Sequence, residues 1–97
     1  MKVLLADRDA DALDLVASEL GNAAMAVPTD VTDAIAVEAL AEAAFQRHGT
    51  IDLLFNNAGV MTTGLCWEIP PEKWEASWQV NVTGILNGLR AFVPRMI

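Results

Sequence analysis

The residues of this chain best able to do chemistry stand at the ends of short apolar runs. Ile51-Asp52-Leu53-Leu54-Phe55 has the character of a buried parallel strand, and Asn56-Asn57-Ala58-Gly59 stops it abruptly. Val3 to Ala6 is closed by Asp7, and Ala24 to Val27 is followed by Asp30-Val31. Carboxylates, amides and very small residues at the carboxyl edge of a parallel sheet line the crevice in which open α/β sheets bind ligands. The amides of Asn56 and Asn57 can tie strand ends together, while Ala58 and Gly59 let a ligand approach the backbone. Asn81, in Asn81-Val82-Thr83-Gly84, falls on an otherwise apolar helical stripe, where its amide needs a hydrogen-bond partner.

The elements that must position these residues alternate along the chain. Leu13, Val16, Ala17 and Leu20 recur at helical spacing after the first strand, with Asp9 or Asp11 able to cap that helix and Gly21-Asn22 able to end it. The second short strand is Ala24 to Val27, with Pro28, a weak strand residue, following closely. Thr32 is placed to cap the next helix, whose apolar face is Val37, Leu40, Ala41, Ala44 and Phe45 and which ends at Gly49. Ile51 to Phe55 is the third strand, residues 57–70 form a loop, and Pro71-Glu72 opens a last helix. That helix carries Trp74, Trp78, Asn81, Ile85, Leu89 and Phe92 near one stripe, and Pro94 ends or kinks it. Gly84 and Gly88 share a face of it, where each costs about 1 kcal/mol relative to Ala, and close packing is the compensation. Strand–helix alternation predicts one α/β domain over residues 1–97 with a parallel sheet of three strands and three helices.

Composition narrows the functional classes. The chain has 97 residues, and 54% of them are hydrophobic, which fits a piece of a larger core better than a small free-standing domain. Six basic residues against thirteen acidic ones give a net charge of −7, the wrong balance for a nucleic-acid binder. One cysteine, Cys66, excludes an internal disulfide and fits a reducing compartment; one histidine, His48, rules out a Cys/His zinc site. No apolar run reaches the roughly 18 residues of a membrane-spanning helix, and Met1-Lys2 leads straight into a strand without a signal-peptide pattern. The expectation is a cytoplasmic protein with no metal, nucleic-acid or membrane partner.

Taken together, Asp7, Asp30-Val31, Asn56-Asn57-Ala58-Gly59 and Asn81-Val82-Thr83-Gly84 resemble the first half of a classical short-chain dehydrogenase/reductase. The resemblance implies a partial Rossmann-type sheet and an oxidoreductase that moves hydride between a nicotinamide cofactor and an alcohol or carbonyl substrate. It implies that Asp7 accepts hydrogen bonds from the adenosine ribose hydroxyls, which favours NAD over NADP because a carboxylate repels a 2′-phosphate. Arg8 beside it softens that rejection. Asp30 and Val31 would flank the adenine, with Asn57 also at the adenosine end, and Asn81 would kink its helix and hold a water in a proton relay. The last helix would form a subunit contact in a homo-oligomer. On the residues alone, Asp7 also reads as a turn residue, Asp30 as a helix-capping residue and Asn81 as a satisfied core amide.

Parts of that family's machinery are absent. A Gly-rich turn of the type TGxxxGxG does not occur, there is no tyrosine, and the Ser and Tyr-x-x-x-Lys of the family would lie beyond Ile97. Hydride transfer by these 97 residues alone is therefore not expected. The resemblance also implies that the family's opening strand, absent here, belongs between the strand ending at Asp7 and the strand ending at Asn56. Backbone groups left unpaired there are costly, so the isolated chain is expected to be weakly folded or aggregation-prone. Two other readings compete. Met1 to Asp7 looks like the start of a signalling receiver domain, but amides stand where that fold needs a phosphate-accepting Asp. A non-catalytic interaction module would use Trp67, Trp74 and Trp78 as an exposed face.

Overall fold

The computed structural model describes all residues, Met1–Ile97. Two strands, β1 (Val3–Asp7) and β2 (Ala24–Pro28), pair in parallel from Val3 opposite Ala24 to Asp7 opposite Pro28. The crossover between them is helix α1 (Ala10–Leu20), capped by the Asp9 carboxylate on the Ala12 N–H and stopped by Gly21 at φ 68°. The Leu13 side chain is buried beneath it, but Val16 and Leu20 of the expected apolar face stay exposed. Helix α2 (Ala34–His48) begins at Asp33, whose carboxylate accepts from the Ile35 and Ala36 N–H groups. The cap is thus Asp33 and not Thr32, which turns back to Asp30 instead. Gly49, at φ 75°, closes α2.

The third expected strand does not form. Residues 51–55 pair with no other strand, and the sheet has two strands in the order β1-β2. Ile51 and Leu54 still pack against the core, but Leu53 and Phe55 are 74% and 77% exposed. The apolar sequence has strand character, yet a strand is held by its neighbours' N–H and C=O groups, and no strand lies beside this one.

The last helical stretch is divided. Helix α3 (Pro71–Trp78) runs through a single π-turn, Gln79–Thr83, into α4 (Gly84–Met96). Pro94 does not end it; it sits inside the last turn and the helix continues to Met96. The buried face of α4 is Gly84, Gly88, Ala91 and Phe92, so the stripe of Trp74, Trp78, Ile85 and Leu89 is exposed and not core.

The core lies between α2 and α4: Val37, Leu40, Ala41, Ala44, Ala91 and Phe92, edged by Leu4, Val27 and Val31. Phe45 and Phe92 meet with ring centroids 6.1 Å apart, and Arg95 lies over the Phe45 ring while bridging to Glu38 at 2.7 Å. Only 10 of 97 residues are buried, and the radius of gyration, 14.9 Å, exceeds the about 13 Å of a compact chain of this length. No helix is long and apolar enough to cross a membrane.

Candidate functional site at the carboxyl edge of the sheet

An open cleft of about 740 Å³ runs the whole length of the unpaired edge of β1, from Met1, Lys2 and Thr50 at one end to Asp7, Asn57 and Ala58 at the other, with α2 and α4 also lining it. Val3, Leu4 and Ala6 of β1 form one side, Leu53, Leu54 and Phe55 another, and Val37, Leu40 and Phe92 lie among its apolar lining. Asp7, Val31, Asn56, Asn57 and Ala58 also line it. The structure therefore brings together five of the eight residues singled out from sequence. Asp30, Gly59 and Asn81 are not among its lining residues.

At the first strand end, the Asp7 main-chain carbonyl accepts from the Thr29 N–H at 2.9 Å, which ties the exits of β1 and β2 together. Its side chain is exposed; Oδ1 accepts from the Asp9 N–H at 3.0 Å, and Oδ2 has no protein partner. Asp7 is thus a turn residue that keeps one carboxylate oxygen free of protein partners. At the second, Asp30 Oδ1 accepts from the Thr32 N–H at 3.0 Å and the Thr32 hydroxyl at 2.8 Å. These bonds, the backbone one foremost, hold the Asp30 carboxyl below its ordinary value, with Arg8 adding a smaller attraction. Its Oδ2 is unbonded.

Glycines on α4 set where the other two segments lie. A Cβ at Gly84 would stand 2.7 Å from Val31 Cγ2, and a Cβ at Gly88 would collide with the Asn56 amide. Both glycines are therefore spent on close packing within this chain. One turn of helix separates them, so α4 holds the Val31 turn and the Asn56 strand end side by side. Asn57 and Ala58 are exposed beyond that contact, and the Asn57 N–H donates to the Phe55 carbonyl at 3.0 Å.

Asn81 occupies the π-turn, the local widening that accounts for the helix irregularity expected there. Its partner is the backbone of Val60: Oδ1 accepts from the Val60 N–H and Nδ2 donates to the Val60 carbonyl, both at 2.9 Å. The amide acts as a stand-in strand partner for the loop after Gly59, and Gly59 leaves room for it, since a Cβ there would lie 3.3 Å from Oδ1. Farther along the loop, Thr62 and Ser77 share a 2.8 Å hydroxyl contact that pins it to α3.

Sequence reasoning missed two residues. His48 is the last residue of α2; its Nε2 is buried without a partner and the residue borders the cavity. Asn87 donates from Nδ2 to the Val31 carbonyl at 2.8 Å, 56 positions away. Its polarity at an inward helical position was the available signal. No group of three or more His, Cys, Asp or Glu side chains is gathered for a metal.

A parallel βαβ unit whose strand ends present an acidic residue, an Asp-Val turn and an Asn-Asn-Ala-Gly segment defines a Rossmann-type α/β protein. The short chain dehydrogenase family model matches residues 1–97, and the chain belongs to that family. It is 42% identical over 100 residues to 1-deoxy-11-beta-hydroxypentalenate dehydrogenase of Streptomyces exfoliatus, covering 98% of this chain and 36% of that protein. Among solved structures it is similar to a short chain dehydrogenase/reductase from Burkholderia phymatum in complex with NAD, with 42% identity and a TM-score of 0.94 over 99% of this chain and 35% of that one. It is also similar to 3-ketoacyl-(acyl-carrier-protein) reductase from Brucella melitensis complexed with NADH, with 36% identity and a TM-score of 0.92 over 97% and 39%. The chain thus spans little more than a third of the length of these relatives. Family membership replaces the receiver-domain reading.

Proposed function

We propose that these residues supply the adenosine-binding part of the cofactor site of an NAD(P)-dependent oxidoreductase that interconverts an alcohol and a carbonyl compound. One observation carries this: acceptors at two adjacent strand ends, Asp7 and Asp30, each keep a carboxylate oxygen free of protein partners. A ribose diol and a base amine both need such acceptors, and the adjoining Val31 and Ala58 offer apolar and unobstructed surface. Asp7 would take the ribose hydroxyls, Asp30 and Val31 the adenine, and Asn56 to Gly59 would leave the backbone open to the cofactor. The bound nicotinamide would supply hydride exchange. Asn81 serves this site by fixing the loop after Gly59; with Oδ1 and one Nδ2 proton committed to Val60, its second N–H is the donor left for a relay water. Without a tyrosine, the 97 residues by themselves would not turn substrate over.

The exposed Asp7 carboxylate favours NAD over NADP. The exposed stripe of Trp74, Trp78, Ile85 and Leu89 on α3 and α4 is proposed as the contact between subunits of the whole enzyme, a homo-oligomer. An exposed free Cys66 suits a reducing, cytoplasmic setting. The test of the cofactor reading is calorimetric titration of the whole enzyme that carries these residues with NAD and NADP. NAD is expected to bind more tightly, and Asp7→Ala to lose the difference. Equal binding of both by the unaltered enzyme overturns the role given to Asp7.

A further inference from the structure

The turn that carries Asp30 and Val31 is anchored at its start, where the Thr29 N–H reaches the Asp7 carbonyl at 2.9 Å. Beyond Thr29 its hydrogen bonds are local. The Asp33 N–H donates to the Asp30 carbonyl at 3.1 Å, and Thr32 donates twice to Asp30 Oδ1. Local bonds of this kind fix the internal shape of a turn. They do not fix where the turn stands relative to the rest of the molecule.

Asn87 does that. Its Nδ2 holds the half-buried Val31 carbonyl at 2.8 Å from the first turn of α4. Three positions earlier on the same helix, Gly84 lets the Val31 side chain close against the backbone. One contact grips the main chain of Val31 and the other seats its side chain. Asp30, the preceding residue, keeps Oδ2 free. An unbonded carboxylate oxygen beside an aliphatic side chain suits a flat base that donates an exocyclic N–H.

We propose that Asn87 is a positioning residue for nucleotide binding: through the Val31 carbonyl it sets where the Asp30 carboxylate and the Val31 side chain meet an adenine ring. The proposal rests on the nucleotide-binding reading above and adds to it a residue outside the cavity lining. Asn87 touches no ligand in this account; it acts through Val31.

The experiment is an amide-resolved NMR titration of the whole enzyme that carries these 97 residues with 5′-AMP and, separately, with inosine 5′-monophosphate, which lacks the exocyclic amine. In the unaltered enzyme AMP is expected to shift Asp30, Val31 and Thr32 and to bind more tightly than the inosine nucleotide. Asn87→Leu keeps helix propensity but removes the donor, and should weaken AMP about fivefold, the effect of one hydrogen bond. It should leave the inosine nucleotide much less affected, so the preference between the two narrows. Asn87→Gln should recover part of it. AMP binding by Asn87→Leu equal to that of the unaltered enzyme overturns the proposal. Equal weakening of both nucleotides also overturns it, because that is what general loosening of the fold would give. If AMP shifts none of the three residues in the unaltered enzyme, the nucleotide-binding reading itself fails, and the role of Asn87 with it.

Discussion

Val3–Asp7 and Ile51–Phe55 are similar sequences with different fates. Both are short apolar runs closed by a polar residue. The first pairs along its whole length with β2, through a crossover helix that closes locally between Asp9 and Gly21. The second pairs with nothing and leaves Leu53 and Phe55 in the open, although Ile51 and Leu54 reach the core. A strand's side chains can be satisfied by a helix packed beneath it, but its backbone needs another backbone beside it. The β1–α1–β2 unit carries its own partner. In residues 51–60 only Val60 finds a partner for its backbone on the last helical stretch, the Asn81 side chain, while the Asn56 side chain seats against the bare backbone of Gly88.

That contrast can be broken most forcefully at the core both regions share. Phe92→Ala removes the ring that meets Phe45 and is expected to cost about 3–5 kcal/mol. In a chain with so thin a core that loss should abolish any cooperative unfolding transition seen by circular dichroism. A retained transition within a few degrees of the original would show that β1–α1–β2 holds the fold without α4.

Gly88→Ala separates the regions. Helix propensity alone predicts a gain of about 1 kcal/mol, whereas collision with Asn56 predicts a loss of about 1–3 kcal/mol. The Asn56 amide is exposed and hydrogen-bonded to nothing, so it turns aside at modest cost: the two effects nearly cancel in stability, and amide exchange quickens over 51–57 while β1 and β2 stay unchanged. Unchanged exchange over 51–57 would mean that Asn56 does not pack against Gly88.

Asn81→Leu removes both bonds to Val60 and should cost about 1–2 kcal/mol. Limited proteolysis should then cut within 58–64 faster while Val3–Pro28 stays protected. Uniform protection in both proteins would reduce Asn81 to a surface amide.

The smallest expected effect is the acid dependence of Asp30. Its carboxyl is held below the ordinary 3.8 by the Thr32 amide and hydroxyl. A folded-state value depressed below the unfolded one contributes stability that is present above the ordinary carboxylate range and lost as pH falls through the lowered value. Asp30→Asn should flatten that part of the acid unfolding curve and leave neutral stability nearly unchanged. Identical acid limbs in both proteins would remove the Thr32 bonds from the account.

Local signals were legible in the sequence because their physics is local. Asp9 or Asp11 as the cap of α1 and Gly49 after His48 mark helix ends by side-chain oxygens and by left-handed backbone; the structure selects Asp9 of the first two and ends α2 at Gly49. Thr32 was misread by one residue because Asp33 and Thr32 are comparable caps and only the turn at Asp30 chooses between them. The exposure of Trp74 and Trp78 was not legible, since an apolar helical stripe looks the same whether it faces this chain's core or another surface.

By itself, the sequence determined the β1–α1–β2–α2 order, the last helical stretch and which residue types stand at the ends of the apolar runs, because turn chemistry, caps and apolar periodicity act within a few residues. Only the tertiary structure decided that residues 51–55 go unpaired, that Gly84 and Gly88 pack against Val31 and Asn56, and that Asn81 and Asn87 hold loops 21 and 56 positions away. Those outcomes depend on which backbone lies beside which, and no window of neighbouring residues contains that information.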